Sequence, residues 1–221
     1  MKVNKILQKF FRGYAVLEEV QSAINGKIQV WEDLFGKRRL VVGGISQSGD
    51  RVETIWREAL KPITNHQSPI TNCLILGLGA GSAAKLINKK WPEAKILGIE
   101  IDPQIIRLGE KYFDLGEISG LEIKIADAAK VVYGIQYTVY KFDLVLVDLY
   151  LGDQVPKVAE TDEFLKNVRQ CLTGNGLAIF NRLYFGKHKE KTDKFGEKLK
   201  KIFTQIEAKN LSTNKLFLCL R

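Results

Sequence analysis

Three acidic residues each close an apolar run in this chain. Glu100 ends AKILGIE, Asp127 ends LEIKIAD and Asp148 ends FDLVLVD. A carboxylate at the end of a buried strand costs free energy unless a partner or a ligand meets it. Acids at the carboxyl ends of successive strands of an open α/β sheet converge on the crevice where such sheets bind ligands. There Glu100 can accept the hydroxyl protons of a ribose, and Asp127 can accept from an adenine amino group. Taken singly, each acid also reads as a helix cap. After Asp148 the chain runs VDLYLGDQVP, which adds Tyr150 and a second carboxylate, Asp153.

LGLGAGS, residues 76 to 82, follows an apolar strand and opens a helix. Gly77, Gly79 and Gly81 allow a tight turn and a close approach of ligand to backbone N–H groups. A dinucleotide site prefers GxGxxG, but the sixth place here is Ser82. The GxGxG form suits an adenosyl-type nucleoside, which has no pyrophosphate to cradle. Other chemistries lack their residues. His66 and His188 lie in polar segments without partners at metal spacing and read as solvated loop residues, so no metal is expected. No GxSxG or Cys/His pairing supports nucleophilic hydrolysis.

The elements that must position these residues form two blocks. VLEEVQSAINGKIQVWEDLFGKRRLVVGG has short apolar runs and turn signals at Asn25-Gly26 and Phe35-Gly36-Lys37, so residues 14 to 45 read as β-structure. DRVETIWREALKPI reads as a helix with Asp50 as N-cap and Pro62 as stop. Polar TNHQSPIT, 64 to 71, is the expected boundary between a small β-rich unit, 1 to 63, and a larger one, 72 to 221. From Cys73, unbroken apolar strands alternate with amphipathic helices, the pattern of a parallel sheet covered on both faces. The tail IFTQIEAKNLSTNKLFLCLR reads as a terminal antiparallel hairpin. The fold class is therefore α/β, a Rossmann-like, mostly parallel seven-stranded sheet behind a small N-terminal β-domain.

Composition narrows the class. Lys plus Arg is 34 against 25 Asp plus Glu, a formal net charge of +9. Much of the excess lies in the N-terminal segment and in GKHKEKTDKFGEKLKK, which spaces its charges like an exposed helix face. Solvated lysines account for it, and no nucleic-acid partner is expected. Cys73, Cys171 and Cys219 sit in apolar stretches without CxxC spacing, which points to reduced, buried thiols and a cytoplasmic location. No run of about 18 apolar residues exists to span a membrane. MKVNKILQKFFRGYA lacks the long apolar core of a signal peptide. Its Ile6, Leu7, Phe10 and Phe11 share one side of an amphipathic helix that packs on a partner subunit or on the chain's own core.

These motifs together resemble the spermidine synthase family of polyamine aminopropyltransferases and, more widely, the class I methyltransferases. GIEIDP, 98 to 103, is similar to the family's EID motif, and ADA, 126 to 128, to its GDA. GGISQ, 43 to 47, is similar to DGxxQ, and ETIWREAL, 53 to 60, to its E-x-x-Y-H-E segment. The resemblance implies that Gln47, the three glycines, Glu100, Ile101, Asp127 and Ala128 bind an S-adenosyl donor. That donor is S-adenosylmethionine or its decarboxylated form. The implied reaction, part of polyamine biosynthesis, moves an aminopropyl group to a small amine acceptor, with Asp148, Tyr150 and Asp153 at the reacting end. Asp148 would shape the donor pocket and Asp153 would touch the acceptor. The family also implies a homodimer. The chain departs from the pattern at Ala80, where the glycine loop usually carries an acid, and at Trp56 and Arg57, which replace a tyrosine and a histidine. The loop D-S-S-D-P is not matched: the third residue after Asp148 is Leu151. Methyl transfer to a small molecule, or nucleoside binding without catalysis, are the alternatives.

Overall fold

The computed structural model describes residues 5–65, 69–135 and 138–221. Helix α1 (Lys5–Arg12) precedes four antiparallel strands: β1 (Tyr14–Ser22), β2 (Gly26–Asp33), β3 (Arg38–Val42) and β4 (Ile45–Gly49). Helix α2 (Asp50–Leu60) and a short 3₁₀ turn follow. The larger block then alternates: β5 (Asn72–Leu76), α3 (Ser82–Lys90), β6 (Lys95–Glu100), α4 (Pro103–Tyr112), β7 (Leu121–Ile125), α5 (Ala128–Ile135), β8 (Phe142–Val147), α6 (Asp162–Cys171) and β9 (Leu172–Leu183). It ends with α7 (His188–Leu199), β10 (Gln205–Leu211) and β11 (Asn214–Leu220).

The seven-stranded sheet has the order β10-β11-β9-β8-β5-β6-β7. Strands β5 to β9 are mutually parallel, and the terminal hairpin joins antiparallel through β11 on β9. Strand alternation feeds two cores. Ile75, Ile96, Leu144 and Ile179 face Trp56, Ala84 and Ile87 on one side. Leu74, Leu76, Val145 and Phe180 face Val132, Leu165, Val168 and Phe195 on the other. Strands buried on both faces need apolar residues at every position, which explains their unbroken runs. A third cluster seats Ile28, Val30 and Leu40 of the small sheet on Ile105 and Leu108 of α4.

Several local expectations are corrected. Gly49, not Asp50, is the N-cap of α2, and the Asp50 carboxylate instead pairs with Lys37 at 2.6 Å. The expected N-terminal unit of residues 1–63 includes α2, yet Trp56, Ala59 and Leu60 pack in the core of the large sheet. His188 is no solvated loop residue. It opens α7 with its side chain 12% exposed, against the Phe185 ring. His66 lies outside the described residues, as do the side chains of Ile6 and Leu7. Phe10 and Phe11 are 76% and 79% exposed, so they do not pack on the chain's own core. All three cysteines are buried and free, and burial pushes the Cys73 thiol up to about 12 and Cys171 up to about 11. No described helix is long and apolar enough to cross a membrane.

Candidate active site

The crevice forms where β5 has β6 on one side and β8 on the other. The glycine turn leaves β5 with Gly77, Gly79 and Gly81 all at positive φ (89°, 59° and 90°). Here the glycines serve the protein's own packing. A Cβ on Gly77 would stand 2.3 Å from the carbonyl oxygen of Asp148, and one on Gly81 would meet Leu115 at 2.5 Å. The turn's amides are also committed. Gly77 and Leu78 donate to the Ile99 carbonyl at 2.9 Å each, and Gly79 donates to Glu100 Oε2 at 3.0 Å. Ala80 donates to Ser48 Oγ at 2.9 Å, while Ser82 Oγ accepts from Gly49 N at 3.1 Å. The turn is a rigid wall rather than the open anion cradle that its glycines alone suggest.

Glu100, at the end of β6, is 7% exposed. Its Oε1 accepts from the amides of Ile101 (2.9 Å) and Asp102 (3.1 Å). Burial pushes its carboxyl up from the ordinary value, against the three backbone donors that favour the ion. A carboxylate offers about four acceptor sites, so Glu100 retains room for about one more hydrogen bond, on Oε2. Ile101 is 41% exposed beside it. Asp102 is completely buried. It caps α4 through Gln104 N (2.9 Å) and accepts from Ser22 Oγ (2.5 Å) and Asn25 Nδ2 (2.7 Å) of the β1–β2 turn. Asp127 Oδ1 accepts from Ala129 N at 2.9 Å at the start of α5, next to buried Ala128.

Asp148 follows β8 and is tied to β5 through its amide, which donates to the Leu76 carbonyl at 2.8 Å. Its carboxylate accepts from Asn181 Nδ2 at 2.8 Å and from Trp56 Nε1 at 3.1 Å. Burial pushes the Asp148 carboxyl up to about 6, opposed by those two hydrogen bonds. Behind Asn181 a polar chain continues: Asn214 Nδ2 donates to Asn181 Oδ1 at 2.8 Å, and Thr213 Oγ1 to Asn214 Oδ1 at 3.0 Å. Tyr150 is buried enough to raise its phenol above the ordinary value, and its hydroxyl donates to the Asn181 carbonyl at 3.0 Å.

Asp148, Tyr150 and Gln47 line one cavity of about 240 Å³, together with Arg51, Asn181 and Asn214. That volume fits a small molecule of a few heavy atoms. Gln47 Nε2 donates to the Gly152 carbonyl at 3.0 Å and so fixes the loop after β8 against the small sheet. Asp153 is not brought to this cavity. The loop turns back on itself through Leu151 N to Gln154 O (2.8 Å), with Gly152 at φ 62°. Asp153 thereby reaches Lys187 (3.1 Å) and His188 (3.6 Å), and the Gln154 hydrogen bond, then Lys187 and His188, hold its carboxyl below the ordinary value. The acceptor contact expected of Asp153 is absent from this geometry, because the tight turn aims its carboxylate at α7. Sequence reasoning missed Asn181, Asn214 and Arg51. The available signal was Asn181 inside the apolar run GLAIFNRL, since a buried amide needs polar partners.

Comparison with known proteins agrees with this architecture. The model of the spermine/spermidine synthase domain matches residues 53–213. The polyamine aminopropyltransferase of Vibrio vulnificus is 30% identical over 108 residues, 49% of this chain and 36% of that protein. That of Aquifex aeolicus is 24% identical over 188 residues, 82% of this chain and 65% of that protein. The mouse eEF1A lysine and N-terminal methyltransferase is 29% identical over 122 residues, 52% of this chain and 17% of that protein. Among solved structures, the spermidine synthase of Thermotoga maritima superposes with a TM-score of 0.76 at 20% identity, covering 93% of this chain and 72% of that one. Human methyltransferase-like protein 13, in complex with SAH, gives 0.62 at 19% identity, covering 76% and 80%. These likenesses show a shared fold. With a domain model matched over most of its length, the chain belongs to the spermine/spermidine synthase family.

Proposed function

We propose that this protein is a transferase that moves an aminopropyl group from decarboxylated S-adenosylmethionine to a small amine. The observation that carries the reading is the join between turn and base. Asp148 abuts Gly77 through its backbone while its side chain opens into a cavity sized for a small acceptor. In this reading Glu100 Oε2 takes one ribose hydroxyl, Asp127 the adenine amine, and Ile101 and Ala128 lie against the base. The donor carbon is already activated by its sulfonium. The protein therefore mainly orients the amine and strips it of water. An amine arrives protonated near neutral pH. Asp148, ionised above about pH 6, holds the ammonium and takes its proton. The amine chemistry falls on Asp148 rather than Asp153. A homodimer belongs to this reading, supported by the exposed Phe10 and Phe11, and so does a cytoplasmic location, supported by three free buried thiols.

Methyl transfer from S-adenosylmethionine is the second reading, favoured by the 29% identity to the mouse methyltransferase. The deciding experiment is calorimetric titration with the two donors, which differ by one carboxylate. Tighter binding of the decarboxylated donor, followed by release of its thioether in the presence of amines, is the expected result. Tighter binding of S-adenosylmethionine moves the assignment to methyl transfer. Binding of neither leaves a family member without donor chemistry.

A further inference from the structure

The cavity beside Asp148 carries charge of both signs. Asp148 is the acid, buried and fixed by Trp56 and Asn181. Arg51 is the cation, exposed in the first turn of α2. Asp148 and Arg51 are the charged residues among those described as lining the cavity. The acids beside Arg51 are engaged elsewhere, Asp50 with Lys37 at 2.6 Å and Glu53 with Arg57 at 3.9 Å. Among the described residues no carboxylate pairs with Arg51 itself.

A cation in the first turn of a helix also opposes the helix dipole, whose positive end lies there. Amides of that turn have no intrahelical acceptor. Arg51 and its neighbour Val52 both line the cavity, so the first turn of α2 forms part of its wall. The second ammonium of a diamine would find no carboxylate of its own and would approach a guanidinium.

We infer that the acceptor is an amine with an anionic group at its far end, an ω-amino acid type of zwitterion. Its ammonium lies against Asp148 and its anion toward Arg51. This rests on the transfer reading above. In the step itself the ammonium gives one proton to Asp148. The freed nitrogen lone pair attacks the aminopropyl carbon bonded to sulfur. The C–S bond breaks with its electron pair going to sulfur, so a neutral thioether leaves and the product is a secondary ammonium.

The test separates acceptor binding from transfer. Protein saturated with 5′-methylthioadenosine, the thioether product, is titrated with 4-aminobutanoate and with 1,4-diaminobutane. Wild type is expected to bind the amino acid at least about tenfold more tightly, a difference of about 1.4 kcal/mol. Arg51→Lys should keep that order and Arg51→Glu should reverse it. Tighter or equal binding of the diamine to wild type overturns the inference, as does binding of neither, or an order indifferent to Arg51→Glu. Transfer is then assayed with decarboxylated S-adenosylmethionine. Preferential binding of the amino acid without any thioether release counts against aminopropyl transfer alone, and leaves the zwitterion site standing.

Discussion

In the proposed reading Asp148 is the residue on which the chemistry turns, and its surroundings set its working range. Burial lifts its carboxyl to about 6, while Trp56 and Asn181 favour the ion. A base must be unprotonated, so kcat/KM is expected to rise with pH through about 6 and to fall below it. Hydrogen bonds to the charged form hold a pKa down. Trp56→Phe should therefore shift that acid limb upward, by about one unit or less, which a pH–rate profile reads directly; an unmoved limb would assign the limb to another group. Asp148→Asn should remove turnover by roughly a hundredfold or more while donor affinity, measured by calorimetry, changes little. Asp153→Asn is expected to keep turnover within about threefold, since that carboxylate faces Lys187 and His188. Loss of turnover there would restore Asp153 as an acceptor ligand. The residues at strand ends were legible in sequence because a charge that stops an apolar run is conspicuous. Arg51 was not, because nothing in DRVETIWREAL distinguishes a cavity arginine from a solvated one.

At the scale of elements, strands and most helices follow from hydrophobic period, and the terminal hairpin follows from its turn. Within that hairpin β11 lies inside the sheet, between β9 and β10. Both of its faces are apolar in KLFLCL, the mark of an inner strand, whereas QIEAKNL of β10 carries the exposed polar residues of an edge. Helix α5 is not legible in the sequence because AAKVVYGI lacks a polar face to give it a period. The glycine turn has a sharper consequence. Gly77→Ala combines a positive φ with a Cβ only 2.3 Å from the Asp148 carbonyl. It should cost about 2–4 kcal/mol, seen as a fall in Tm, and should displace the base as well. Ser48→Ala leaves the buried Ala80 amide without its acceptor. That should cost about 1–3 kcal/mol, and unchanged stability would mean that water replaces the hydroxyl.

At the scale of the whole molecule, the two sheets are joined by a buried polar tie as well as by apolar packing. Asp102 caps α4 and accepts from Ser22 and Asn25 of the small sheet's first turn. Removing it in Asp102→Ala takes away a cap and leaves two donors unpaired. A loss of about 2–4 kcal/mol is expected, with hydrogen exchange rising first in the β1–β2 turn. An Asp before a Pro is a local helix-start signal, but the distant partners of Asp102 depend on how the small sheet seats on α4, which local pattern does not encode. The exposed Phe10 and Phe11 bear on assembly. If they form the proposed homodimer interface, changing both to serine should shift sedimentation from dimer to monomer, and an unshifted dimer would move the interface elsewhere.

The tether from Gln47 to Gly152 makes the acceptor cavity a shared construction: one wall comes from the small sheet and α2, the other from the loop after β8 and from β9. Glu100 and Asp127, the acids proposed for the donor, belong by contrast to the large sheet's strand ends. The two specificities are therefore separable by recombination. Grafting the segment from Gly43 to Ile55 out of a relative with a different acceptor, with Gln47 and Ser48 kept because they tie it to Gly152 and to the glycine turn, should carry acceptor choice with it and leave the donor unchanged. A lineage could thus have exchanged its acceptor by altering little more than a dozen residues while the sulfonium chemistry stayed in place.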